Sequence, residues 1–144
     1  MAQLSPYLIF NGNCEDAFNF YRTIFGGDFA MISKYKDMPE TEKPIPDDLK
    51  EKIMHVALPV SRETWLMGSD SGDMYGLATQ QGNNFSISIN AETEDEARRI
   101  YDGLSEGGTI KMALEKTFWG ALFGMFTDKF GIHWMMNYDY NQKN

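Results

Sequence analysis

Two stretches of this chain are near copies of each other. EDAFNFYRTIFGG runs from Glu15 to Gly27, and DEARRIYDGLSEGG runs from Asp95 to Gly108. Each opens on carboxylates, sets a tyrosine four residues after an alanine (Ala17 and Tyr21, Ala97 and Tyr101) and stops at two glycines. An internal repeat constrains a fold strongly, because a duplicated unit must bury the same face twice. Phe18, Tyr21 and Phe25, with Phe20 and Ile24 beside them, follow the spacing of one helix face, as do Ala97, Ile100, Tyr101 and Leu104. Asn13 stands where a side chain accepts the free N–H groups of a helix start, and Thr93 with Glu96 has the spacing of a capping box. The glycine pairs Gly26-Gly27 and Gly107-Gly108 end both helices, since glycine takes the left-handed cap conformation without strain.

The surroundings of the two helices repeat as well. Strands are predicted at Tyr7 to Phe10, Phe29 to Tyr35, Ile53 to Val60 and Thr64 to Met67, and again at Phe85 to Ile89, Thr109 to Leu114, Leu122 to Thr127 and Ile132 to Tyr138. Lys36 to Lys52 holds three prolines and many charges and reads as a long loop. Ser69 to Asn84 reads as a linker. Two βαβββ modules follow one another, module one over about residues 1–70, a linker over about 71–82 and module two over about 83–140, within one domain spanning 1–144. One helix covers only one face of such a sheet. Two copies gain most by pairing into a curved mixed sheet whose concave side encloses a cleft, so an α+β fold with a cleft is expected.

Composition narrows the function. The chain has 21 Asp and Glu against 13 Lys and Arg, a net charge of −8, and no basic cluster to match a phosphate backbone, so nucleic acid is not an expected partner. No apolar run approaches the roughly 18 residues of a membrane span, and the opening MAQLSPYLIF lacks the pattern of a signal peptide. No membrane association and a cytoplasmic location are expected. Cys14 is the one cysteine and has no partner for a disulfide or a zinc ribbon; it reads as a small side chain near a helix start.

Pro6-Tyr7-Leu8, Phe10-Asn11-Gly12, Glu15-Asp16-Ala17, Phe20-Tyr21 and Phe25-Gly26-Gly27 together resemble the opening of the PhnB-like branch of the vicinal oxygen chelate superfamily. That superfamily holds glyoxalase I, bleomycin and fosfomycin resistance proteins and extradiol dioxygenases. Ile53-Met54-His55, Ser69-Asp70, Trp119-Gly120, Asp128, Phe130-Gly131 and Trp134 extend the resemblance over nearly the whole chain. Lys129 departs from it, standing where the branch often has the proline of an Asp-Pro-Phe-Gly turn. The resemblance implies the glyoxalase/bleomycin resistance fold and a homodimer. Proteins of the branch are sometimes catalogued as demethylubiquinone methyltransferase-like. This sequence has no glycine-rich strand-to-helix turn for a methyl-donor nucleotide, so methyl transfer is not expected.

The resemblance also implies where a metal would sit. Metal-dependent members place His or Glu on four strands, and the matching positions here are Pro6, about Met67, Phe85 and Met135. None of these side chains is a ligand for a hard or borderline divalent ion, so no metal and no other cofactor is expected. Two functional readings remain. In the first, Phe85, Trp119, Phe123, His133 and Met135 line an apolar site for a small molecule, since methionine adapts its shape and tryptophan offers a flat face and one donor. In the second, His55 acts as an acid or base with Asp70 or His133 as its partner, in a lyase, transferase or dioxygenase type of reaction. Each histidine is equally readable as a satisfied strand residue, and Asp70 as a turn cap. Trp134 and Met136 fall on the alternate strand parity and are expected to pack under the helix.

Overall fold

The computed structural model describes residues 2–39, 44–71 and 79–141. These divide into two compact units, Met1–Gln80 and Gln81–Asn144. The first unit runs β1 (Tyr7–Phe10), α1 (Cys14–Phe25), β2 (Met31–Lys34), β3 (Ile53–Pro59) and β4 (Trp65–Asp70). The second runs β5 (Ile87–Asn90), α2 (Glu94–Ser105), β6 (Thr109–Lys116), β7 (Ala121–Thr127) and β8 (His133–Asp139). Both therefore have the order βαβββ, and the sheets match strand for strand: β1-β4-β3-β2 in one and β5-β8-β7-β6 in the other. In each, the first and last strands pair in parallel and the other neighbours are antiparallel.

The repeat is deeper than the two phrases. The buried positions of α1 are Cys14, Ala17, Phe18 and Tyr21, and those of α2 are Ala97, Ile100, Tyr101 and Leu104. Both sets follow i, i+3, i+4, i+7, the stripe by which a helix sits on a sheet. Within each stripe one ring is seated over a strand glycine. A Cβ at Gly68 of β4 would come within 2.7 Å of the Phe18 ring, and one at Gly124 of β7 within 2.7 Å of the Tyr101 ring. The Tyr101 hydroxyl also donates to the Met112 carbonyl, at 2.9 Å. Leu8, Phe10, Val56, Leu58 and Leu66 complete the first core, and Leu122, Phe126, Trp134 and Met136 the second. At roughly 1.5–3 kcal/mol for each fully buried large side chain, these two layers supply most of the apolar burial.

The helix starts differ from each other, and from expectation in one case. Thr93 caps α2 by accepting the Glu96 N–H at 3.1 Å. Glu96 reaches back to the N–H of Glu92, at 3.1 Å, one residue before the cap. Asn13 precedes α1 but its side chain makes no capping bond. The role falls instead to Asp70 at the end of β4, whose carboxylate accepts from Gly12 N at 2.9 Å and Cys14 N at 3.0 Å. Sequence patterns find caps supplied by neighbours along the chain; this cap comes from a residue more than fifty positions away.

The strand limits shift by a few residues. β4 extends through Ser69 and Asp70, so both belong to the sheet and not to the linker. Tyr35 leaves the strand for a short 3-10 turn, where its hydroxyl donates to the Asp70 carbonyl at 2.6 Å. Parts of the predicted loop and linker, 40–43 and 72–78, lie outside the described residues. Among the described residues, no helix is long and apolar enough to cross a membrane.

Candidate functional site

Each sheet has a second face that its helix does not cover. In a solvated antiparallel sheet that face alternates to polar residues. Here it does not. In the first unit, register sets Tyr7 beside Met67 and Met67 beside Ala57, with Ile9, Met31 and Trp65 on the same parity. Tyr7, Ile9, Met31 and Trp65 are each 44–49% exposed. His55 belongs to this face, paired in register with Ser33. Its Nδ1 shares a hydrogen bond of 3.1 Å with the Tyr7 hydroxyl, and the two rings stack with centroids 5.7 Å apart. The Ser33 hydroxyl is buried and has no hydrogen-bond partner among the described residues.

The matching face of the second unit is built in rows across β6, β7 and β8. Thr109, Thr127 and His133 form one row, Met112, Met125 and Met135 the next, and Glu115, Phe123 and Asn137 the third. Ser88 of β5 adjoins Met135, and Asn90 adjoins Asn137. Trp119 lies in the β6–β7 turn and is 56% exposed. Its ring meets Phe118 at 4.9 Å and Phe123 at 6.2 Å between centroids, so the aromatic end of the third row continues into the turn.

His133 is held on three sides. Its Nε2 lies 2.7 Å from the Gly82 carbonyl, its Nδ1 2.9 Å from the Thr127 hydroxyl and 3.3 Å from the Lys111 ammonium. A carbonyl only accepts, so Nε2 is the donor toward Gly82, while Nδ1 faces the Thr127 hydroxyl and the Lys111 ammonium. Lys111 shares the parity of Thr109 and so falls on this face; a shift of register follows, since Ile110 pairs with Phe126 but Met112 pairs with Met125, leaving one extra residue on β6. The bulge brings Met112, which strict alternation would send to the helix side, into the row of Met125 and Met135.

Asp70 is in a different setting from His55. The carboxylate is 1% exposed and takes a third backbone donor, Ile53 N at 2.9 Å, besides the two at the start of α1. It thus ties β4 to the first turn of α1 and to the beginning of β3. His55 is bonded to Tyr7 and not to Asp70. Cys14 is fully buried at that same corner, and burial, then the charges of Asp70 and Glu15, push its thiol well above the ordinary range, which makes it inert.

The sequence-selected residues of the second unit separate in the structure. Phe123, His133 and Met135 share the uncovered face, and Trp119 adjoins Phe123. Phe85 precedes β5 and is 66% exposed. It alternates with Ile87 and Ile89, whose register partners Trp134 and Met136 are core residues, so Ser88 takes the place beside Met135. Trp134 and Met136 lie under α2 as expected, and the Trp134 Nε1 donates to Asp128 at 2.8 Å. Tyr7, Lys111, Met125 and Thr127 were missed by sequence reasoning although their strand parity was available; Met112 was hidden, because a bulge leaves no mark in hydrophobic periodicity.

The side chains at the positions of a metal-dependent relative are chemically unsuited to one. Pro6 offers only its carbonyl, which accepts from Met67 N at 3.2 Å, and Met67 and Met135 offer soft thioethers. Within either unit, and among the described residues, no three His, Cys, Asp or Glu side chains stand together as a metal-binding group.

Residues 2–137 match the family model described as 3-demethylubiquinone-9 3-methyltransferase. Protein PA1353 from Pseudomonas aeruginosa is 42% identical, with a TM-score of 0.84 over 96% of this chain and 98% of that one. A Bacillus cereus protein, described as putative 3-demethylubiquinone-9 3-methyltransferase, PhnB protein, has a TM-score of 0.72 at 23% identity, over 95% of this chain and 99% of that one. A glyoxalase/bleomycin resistance protein/dioxygenase family enzyme from Burkholderia phytofirmans PsJN gives 0.62 at 14%, over 95% and 98%. At these lower identities the last two show a shared fold. The strand order, the repeated βαβββ module and the family match agree: this chain belongs to the family described as 3-demethylubiquinone-9 3-methyltransferase and has the fold seen in the glyoxalase/bleomycin resistance protein/dioxygenase family enzyme.

Proposed function

We propose that this protein binds a small organic molecule on the uncovered face of its second sheet, without a resident divalent metal. One observation carries the reading. The face opposite α2 presents Met112, Met125 and Met135 in one row with Phe123 in the next, where a sheet facing only water would present polar residues. Methionines adapt to the shape of a planar or irregular apolar body, and the polar row of Thr127 and His133 supplies orientation at one end. The residues at the metal positions support the second part, since proline, methionine and phenylalanine side chains do not hold Mg²⁺, Mn²⁺ or Zn²⁺. Methyl transfer is not part of the proposal: the β1–α1 turn, Asn11-Gly12-Asn13, is not a nucleotide-binding glycine loop.

A screen of planar and amphipathic compounds by tryptophan fluorescence and melting temperature tests the binding reading. A ligand that quenches or shifts emission and raises the melting temperature supports it; no response from any compound sinks it. Metal analysis of protein purified without chelators tests the second part, and a stoichiometric divalent ion contradicts it. We further propose a homodimer, supported by Phe118, which is 97% exposed at a turn tip where a lone large ring costs solubility unless a partner covers it.

Acid–base chemistry at His55 is a second reading, favoured by the Tyr7–His55 hydrogen bond and ring stack. Tyr7 is then its partner, because the carboxylate of Asp70 is spent on backbone donors. A His55→Gln variant that keeps every turnover the wild type shows removes this reading.

A further inference from the structure

Lys111 sets a cation on the uncovered face of the second sheet, beside His133, and this is the feature that says most about the ligand. We infer that Lys111, with Thr127 and His133, forms an anion-recognition end for an amphipathic ligand whose apolar body lies along the methionine row. The inference rests on the small-molecule reading above and adds the chemical class: a carboxylate, or another single anionic head, on an apolar body.

Three observations support it. First, the Lys111 ammonium stands on this face beside His133, 3.3 Å from its Nδ1, next to the methionine row. Second, the ammonium is under-used. Among the described residues it has no carboxylate partner, although Asp and Glu outnumber Lys and Arg by 21 to 13. The His133 Nδ1 is nearer to the Thr127 hydroxyl than to the ammonium, 2.9 Å against 3.3 Å. At most one of the three ammonium hydrogens thus has a partner among the described residues. An exposed lysine in water loses little by this, but next to an apolar row it gives a charged head a partner of opposite sign. Third, the row structure fixes a length. Same-face residues two apart on a strand are about 7 Å apart, so the methionine row lies about 7 Å from the Thr127–His133 row and Phe123 about 14 Å from it. A head at Lys111 therefore places a body of bicyclic or medium alkyl length over Met125 and Met135, with its far end near Phe123 and Trp119.

The test uses the matched pair 1-naphthoate and 1-naphthamide, equal in size and differing in charge, titrated into the full chain by isothermal calorimetry with Trp119 emission as a second readout. Wild type is expected to bind the carboxylate at least ten-fold more tightly than the amide, and to lose that preference as salt rises. Lys111→Met should abolish the preference while still binding the amide, and Lys111→Arg should restore it. Equal binding of the pair, or a preference that survives in Lys111→Met, overturns this inference and leaves small-molecule binding standing. Failure of both compounds, together with a null compound screen, overturns both.

Discussion

Asp70 is the residue whose role is most sharply divided between chemistry and architecture, and one isosteric change separates the two. In Asp70→Asn the amide oxygen can keep the bonds to Gly12 N and Cys14 N, at 2.9 and 3.0 Å. The amide nitrogen then faces Ile53 N, which lies 2.9 Å from the atom it replaces, so two donors meet in a site that is 1% exposed. A charge-assisted bond is lost and a buried N–H is left unpaired, each costing on the order of 1–3 kcal/mol. The variant should therefore be about 2–4 kcal/mol less stable. Against a urea slope of about 1–3 kcal/mol per molar, its unfolding midpoint should fall by about 1–2 M. Ligand affinity of the folded variant should match that of wild type. Urea melts followed by far-ultraviolet circular dichroism, with calorimetric titration of a screened ligand at low urea, measure both. A midpoint within 0.3 M of wild type, or a stable variant that no longer binds, refutes the architectural role and returns Asp70 to the chemistry.

Gly68→Ala and Gly124→Ala should each cost roughly 1–3 kcal/mol by overpacking, because the new methyl meets the Phe18 or Tyr101 ring and, at Gly68, the Leu8 carbonyl at 2.8 Å; paired urea melts measure it. Cys14 should react with a disulfide reagent only as the chain unfolds. Its raised thiol also sets a pH dependence of definite sign. Below about pH 8.5 both states keep the proton, and above it only the unfolded chain releases it, so folding should weaken by up to about 1.4 kcal/mol per pH unit. A Cys14→Ala variant should lack that component of the slope. Phe118→Ser should shift the molar mass from dimer toward monomer in light scattering at micromolar concentration, and an unchanged mass separates that turn from any interface.

The architecture was largely legible because it is stated twice. Two stripes of buried helix positions, and strands of matching order around them, determine which face of each sheet is covered, and Trp134 and Met136 follow from parity alone. The site was legible in part, for the same reason: Phe123, His133 and Met135 share a parity, so alternation puts them on one face. Phe85 was misjudged against that rule, since it alternates with Ile87 and Ile89. What the sequence concealed is non-local or irregular. Asp70 caps a helix across 56 residues of chain, and Met112 owes its place in the methionine row to a bulge. Neither a distant cap nor an extra residue in a strand alters the local periodicity from which elements are predicted.

The ten methionines make the central claim directly observable. With ¹³C-labelled methionine methyl groups, titration of 1-naphthoate should move the signals of Met125 and Met135 on the uncovered face and leave that of Met136, buried under α2, in place. Saturating ligand that leaves Met125 and Met135 unmoved, or that perturbs Met136 alone, contradicts binding at this face.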